Sequence, residues 1–404
     1  MNTLDIGFIP VGVPGKSSTG AVHTSTLLIE EMSKRHQLTA YVVSPHDVDS
    51  SSLPYSNRVD YEILPRRGDF PHPMRNRRKA LTQELSTLSS HDIVHSYSSA
   101  YLNELSQLSV PTAMTLNSYL PICPKDDFRT PDGSLCSGPK PFKCLNCIME
   151  SRFSLSDPVQ MIKDFYRHSA KLGYAQESIQ NSNKIDSYHA LAWHLVDDYD
   201  QVGFARDDIS VIPHFYDERF CSEASSNSSP INLLYVGKLE EKKGPHILIN
   251  ALSEASFDFQ LRIAGSGPKE TNLKQLVQKH GLSDCVTFLG FIPYKEVPAV
   301  FADADVFIYP GTWPEPFGRV FLEALASNTP VVTSDVGSAK RIIGEGGVSY
   351  DPGNEQGIRE GIKTIMNSYP EYINGCESRI QRFEPETIIE QFNQFYVETC
   401  RQNH

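Results

Sequence analysis

No apolar run in this 404-residue chain approaches the roughly 20 residues that a bilayer-crossing helix needs. The opening Met1-Asn-Thr-Leu-Asp5 lacks the basic stretch of a signal peptide. The expected location is therefore the cytoplasm, with the inner face of the membrane left open. Positive charge is in deficit: 37 Lys and Arg stand against 49 Asp and Glu, a formal charge of −12. That argues against nucleic acid as the main partner. There is no repeat of solenoid period. There is no Walker A loop either. Gly15-Lys16-Ser17 resembles the end of one, but Pro10 stands where its first glycine is required. The eight cysteines of a cytoplasmic chain are expected as thiols or metal ligands rather than disulfides.

What is present is a repeated alternation of apolar runs and helical patterns, long enough to bury two cores. Leu4–Ile9, Leu38–Val43, Tyr61–Leu64, Ile93–His95, Thr112–Leu116 and Lys184–Leu191 read as strands, and Ala21–Arg35 and Pro158–Ser182 as helices. Such alternation predicts a parallel sheet with ligands at the carboxyl ends of its strands. Residues 223–230, Glu-Ala-Ser-Ser-Asn-Ser-Ser-Pro, have the small, polar composition of a linker. The expected organisation is a first domain over 1–222, the linker, a second domain over 231–385, and a last helix over 386–404.

The chain is organised around Pro310-Gly-Thr-Trp-Pro-Glu315-Pro-Phe317-Gly318-Arg-Val320-Phe-Leu-Glu323-Ala-Leu-Ala. It runs from a strand ending at Tyr309 into a helix over Arg319–Ser327. Gly318 lets the backbone approach a ligand where free N–H groups favour phosphate. Glu315 lies in the loop and Glu323 in the helix, about 10 Å apart at a rise of about 1.5 Å per residue. That separation suits a molecule with hydroxyls at both ends and a diphosphate between, such as a nucleotide-sugar. Upstream, the strand Leu233–Val236 feeds the turn Gly237-Lys238-Leu-Glu-Glu-Lys-Lys243-Gly244.

Glu315-x7-Glu323 with Pro-Phe-Gly inside it resembles the signature of retaining GT-B glycosyltransferases of family 4, most clearly over Ile231–Pro352. The resemblance implies two Rossmann-like parallel-sheet domains facing across a cleft, with the donor held mainly by the second. It implies transfer of a hexose from a nucleoside diphosphate sugar to an acceptor hydroxyl with retention, in the synthesis of cell-surface glycan, glycolipid or polysaccharide. Lys238 and Lys243 match the two cations that grip the diphosphate, although lysine at 238 loses an arginine's bidentate fork. Glu315 and the backbone of Phe317 and Gly318 would orient the sugar. Val320 N–H would meet the phosphate, and Glu323 the ribose. Gly20, Gly237, Gly265 and Phe291 complete the donor-side set, while His23, His95 and Asn117 fall on the acceptor side. Asn117 stands where many members carry histidine and cannot take a proton near neutral pH. The family works without a catalytic metal, and no Asp-x-Asp pair is placed to hold one.

Two features lie outside that pattern. Cys123, Cys136, Cys144 and Cys147 crowd into 25 residues at spacings x12, x7 and x2. Four thiolates would close a structural site for zinc or an iron–sulfur cluster, while four unrelated buried thiols are the alternative. Arg66, Arg67, Arg75, Arg77, Arg78 and Lys79 reverse the sign of an acidic chain. They suggest a face for anionic lipid or a phosphate-bearing acceptor, weighed against a solvated helix start. A low-activity accessory subunit and a cysteine-based metal or redox sensor stay open beside the enzyme.

Overall fold

The computed structural model describes residues 3–16, 20–66, 73–152, 158–222 and 229–402, and the side chains at 151, 152, 158–162 and 164 lie outside that description. Ser17, Arg67, most of the 223–230 linker and the last two residues also fall outside it. The chain forms two compact units, Met1–Ile212 with Ile389–His404, and Pro213–Ile388.

The first unit is built on β1 (Asp5–Ile9), β2 (Gln37–Ser44), β3 (Val59–Pro65), β4 (Ile93–Ser96), β5 (Thr112–Leu116), β6 (Ser187–Ala190) and β7 (Ile209–Val211). They pair in the order β3-β2-β1-β4-β5-β6-β7, parallel throughout. Every residue of β4, β5 and β6 is buried, as expected of central strands covered on both faces. The helices that position its functional residues are α1 (Gly20–Met32), α2 (Pro73–Thr82), α3 (Pro141–Arg152) and α4 (Pro158–Gln180). Helix α3 was not expected from the sequence. Proline at its first position starts it, but its exposed side mixes Phe142 and Met149 with Asn146 and Glu150, so the usual polar stripe is interrupted.

The second unit carries β8 (Ile231–Val236), β9 (Phe259–Ala264), β10 (Val286–Gly290), β11 (Val306–Tyr309), β12 (Val331–Ser334) and β13 (Gly347–Tyr350). Their order is β10-β9-β8-β11-β12-β13, again all parallel. Leu233, Tyr235, Ile263, Val306, Ile308 and Val332 form its core with Leu248, Ile358 and Ile362 from the covering helices. Residues 213–222, assigned from the sequence to the first domain, fold with this unit. Tyr216 N–H donates to Phe383 O at 3.1 Å, and Phe220 packs on Phe301. α5 (Pro245–Ser253) and α6 (Val320–Ala326) follow β8 and β11. The last helix, α7 (Pro385–Gln402), runs from the second unit into the first, where Tyr396 and Asn393 meet His95 and His36. Among the described residues, no helix is long and apolar enough to cross a membrane.

Candidate active site

In the second sheet the strand order reverses between β8 and β11. Loops that leave neighbouring strands in opposite directions open a crevice at the carboxyl edge, the usual ligand position of such sheets. The loop after β8 carries Lys238 and Lys243; the loop after β11 carries Trp313 and Glu315. The two meet because of Gly244, whose φ is +72° and whose added Cβ would lie 2.0 Å from Pro310 O. Thr312 N–H then donates to Lys242 O at 2.9 Å. Lys243 Nζ lands on Glu315 Oε1, which also accepts from Tyr309 O–H. Lys243 lies 5.5 Å from the Trp313 ring centroid and Lys242 4.2 Å from it. Lys238 is exposed, 3.5 Å from Glu240, and is not drawn into the Lys243–Glu315 pair.

Eight residues after Glu315, Glu323 sits in α6 and is only 7% exposed. Its Oε1 accepts from Tyr294 O–H at 3.1 Å and lies 3.4 Å from Arg319 Nε. Arg319, also 7% exposed, donates from Nη1 to Phe215 O at 3.3 Å. Asp217 borders the group and pairs with Arg219 at 2.6 Å. Burial raises the Glu323 carboxyl above its ordinary value, while the Arg319 charge and the Tyr294 hydroxyl pull it down. Phe317 is buried against His214, and its carbonyl accepts from Ser338 Oγ at 2.9 Å. Gly318 takes φ +84° at the entry to α6, and Val320 opens that helix half-buried. Gly265 lies so close to Gly237 that an added Cβ would be 1.8 Å from Gly237 O, so the ends of β8 and β9 can run this close only with glycine there. Phe291 is 57% exposed just beyond β10.

In the first unit, a cavity of about 470 Å³ lies beyond the carboxyl ends of β1, β2 and β4, where that sheet also reverses its order. Lys16, His46, Arg77, Ser98 and Tyr101 are among its walls. Gly20 is exposed at the start of α1, and His23 is half-buried one turn on. Asn117 donates to Tyr97 O at 2.6 Å and accepts from Ser99 N–H at 3.4 Å, joining the ends of β4 and β5.

His95 is a correction. It is completely buried, and both ring nitrogens are engaged inside the first unit. His189 Nε2 donates to Ile212 O at 2.7 Å, so its Nδ1 must accept from Thr115 O–H. Thr115 Oγ1 in turn accepts from His95 Nε2, and His95 Nδ1 accepts from Tyr396 O–H. One carbonyl thus dictates both tautomers. Burial lowers His189 to about 4 and drives His95 well below its ordinary value, so both rings are neutral. His95 is a core residue whose two ring nitrogens are both taken up by protein partners.

The metal reading of the four cysteines is corrected too. They do converge on one cavity of about 20 Å³, lined by Cys123, Cys136, Cys144 and Cys147. But among the described residues no group of three or more His, Cys, Asp or Glu is arranged to hold a metal ion. The sulfurs face protein partners instead. Cys136 faces Gly138 O at 3.7 Å, Cys147 faces Arg129 O at 3.8 Å, and Cys144 accepts from Lys140 N–H at 3.3 Å. Burial pushes Cys123 up to about 11 and raises Cys144, which favours thiols over thiolate ligands. Of the basic run, Arg75 and Lys79 are exposed four residues apart on α2. Arg78 turns inward to Glu104 at 2.6 Å and Glu177 at 3.2 Å, Arg77 borders the 470 Å³ cavity, and Arg67 lies outside the described residues.

Residues 218–380 match the model of the family Glycosyl transferases group 1. Solved structures extend the likeness to the whole chain. Anabaena Alr3699/HepE, solved in complex with UDP-glucose, superposes with a TM-score of 0.68 at 20% identity, over 98% of this chain and 100% of that one. The chain has the GT-B fold, and its second unit is similar to the group 1 glycosyl transferases. A glycogen synthase of Mycobacterium tuberculosis is 34% identical over 145 residues, which is 35% of this chain and 35% of that protein. The putative colanic acid biosynthesis glycosyltransferase WcaL of Escherichia coli is 37% identical over 115 residues, 26% of this chain and 28% of that protein. These matches span about a third of the curated relatives' length. Sequence reasoning had identified Lys243, Glu315 and Glu323 in this GT-B chain, but not Tyr294, Tyr309, Trp313 or Arg319. The signal for Tyr309 was its place at the end of the strand. Arg319 gave none, since its burial depends on segment 213–217.

Proposed function

We propose that this protein transfers a hexose from a nucleoside diphosphate sugar to an acceptor hydroxyl with retention of configuration, in the synthesis of a glycan or lipid-linked glycan. The observation that carries the reading is the meeting of Lys243 and Glu315 at the switch point of the second sheet, with Glu323 buried in the helix that follows. An ammonium has three donors. Lys243 can hold Glu315 with one and offer the others to diphosphate oxygens, while Glu315 orients sugar hydroxyls. Lys238 and the N–H groups of Gly318 and Val320 would supply the rest of the positive potential as the leaving diphosphate gains charge. Glu323 Oε1 is already engaged by Tyr294 and Arg319, so Oε2 is the atom for a ribose hydroxyl. Front-face attack assisted by the leaving phosphate is the proposed course. The acceptor enters on the first unit, whose 470 Å³ cavity offers Lys16 and Arg77 to an anionic group. The family precedent supports a reaction without a catalytic metal.

A thermal-shift panel of nucleoside diphosphate sugars tests the donor, because binding raises apparent stability. Anomeric analysis of the product by NMR tests retention. A second reading, an accessory subunit of low turnover, is favoured by exposed Lys238 and by the engaged amide of Asn117. Donor binding without hydrolysis or transfer would support that reading over the enzyme.

A further inference from the structure

We propose that helix α3, Pro141–Arg152, docks the protein on an anionic membrane surface. Phe142 is 86% exposed and Met149 51% exposed. With half-buried Leu145 they recur at i, i+3 and i+7, an apolar stripe along the helix that exposed Asn146 and Glu150 border on one side. The opposite stripe, Cys144 and Ile148, is buried over the thiol-lined cavity, so the inward packing of this helix is already complete. Leu135, in the turn before Cys136, is 43% exposed as well. An exposed apolar stripe of this kind marks an interaction surface.

The charges around it say what covers it. Between Gly138 and Lys171 the chain carries six Lys and Arg against three Asp and Glu, in a protein whose formal charge is −12. Lys140 is exposed and Lys143 half-exposed, its Nζ donating to Ser137 Oγ at 2.8 Å, so ammonium groups flank the Phe142 ring in sequence. Helix α4 packs on α3 and adds exposed Lys163. Apolar side chains set among lysines match a bilayer interface, with the ring at the acyl boundary and the ammoniums at lipid phosphates. A second copy of the chain would bring the same cations onto one face, where they repel. This surface is distinct from the Arg66–Lys79 run, in which Arg78 is held by Glu104 and Glu177.

Vesicle co-sedimentation of the full chain tests the proposal, with phosphatidylcholine alone and with phosphatidylglycerol added. The expected result is salt-sensitive binding to the mixed vesicles, at least about tenfold stronger than to the neutral ones. Phe142→Ser/Met149→Ser and Lys140→Glu/Lys143→Glu should each weaken it at least about tenfold. Thermal melts should match the wild type, because these side chains are not in the core. Equal binding to both vesicle types, no binding to either, or unchanged binding by both variants overturns the proposal. So does a wild-type dimer in light scattering that Phe142→Ser/Met149→Ser converts to monomer. No turnover is read, so the result stands or falls separately from the reaction proposed above.

Discussion

Removing Arg319 should destabilise the second unit in a way that depends on pH. Arg319 and Glu323 are each 7% exposed, with Nε and Oε1 3.4 Å apart. Arg319→Met keeps most of the side-chain volume but leaves a buried carboxylate without its cation. Breaking such a pair costs about 3–5 kcal/mol. In a unit of this size about 2–4 °C accompanies each kcal/mol, so the melting temperature should fall by on the order of 10 °C near neutral pH. The sign of the pH dependence follows from the Glu323 carboxyl, raised by burial and pulled back by Arg319 and Tyr294. Without Arg319 it rises further. The folded state then binds more protons than the unfolded one, so stability is retained at acid pH and lost as pH rises through the folded pKa. The gap between variant and wild type should therefore be small near pH 5 and full near pH 8, by calorimetry in matched buffers. Arg319→Met/Glu323→Gln should recover most of the loss at neutral pH. A gap that ignores pH, or a double variant as unstable as the two single losses added, would refute the reasoning.

Further outcomes are expected. Lys243→Ala should leave the fold intact and cut transfer by on the order of a hundredfold, since a charge-assisted bond to phosphate contributes about 2–3 kcal/mol; near-normal turnover in a folded variant would defeat the assignment. Thr115→Val should cost about 1–3 kcal/mol for each histidine nitrogen it orphans, read by urea titration. Because the folded pKa of His189 is lowered to about 4, the unfolded chain binds more protons below about 6.5. Stability should therefore fall as pH drops from about 6.5 toward 4, and denaturant midpoints at pH 7 and 5 check this. Exposed Cys221 should be alkylated by iodoacetamide before Cys123 or Cys144, which burial keeps as thiols; mass spectrometry of a time course orders them.

Much of this molecule is determined by residues that are neighbours in the chain. β5 runs over Thr112–Leu116, the limits its apolar pattern predicts, and the turn–helix grammar of Gly244-Pro245 marks the start of α5 without any tertiary information. Glu315 and Glu323 announce themselves because spacing and residue type survive in one dimension. β13 did not, since Gly347-Val-Ser-Tyr350 is too short for a period. Helix α3 did not, since its apolar stripe faces outward while its cysteines fill the inward face. Only the tertiary structure decided that Lys243 would hold Glu315, 72 residues away, rather than remain one more surface lysine like Lys238. Strand order does that: reversal between β8 and β11 makes neighbours of two loops whose sequences carry no mark of the pairing. The same holds for His95. Its strand ends at the carboxyl edge, as a ligand-facing histidine's would, yet Tyr396 arrives from the far end of the chain to complete a core relay. Periodicity records which face of an element is apolar; which partner covers that face is a property of the packed whole, and it separates a buried histidine from a working one.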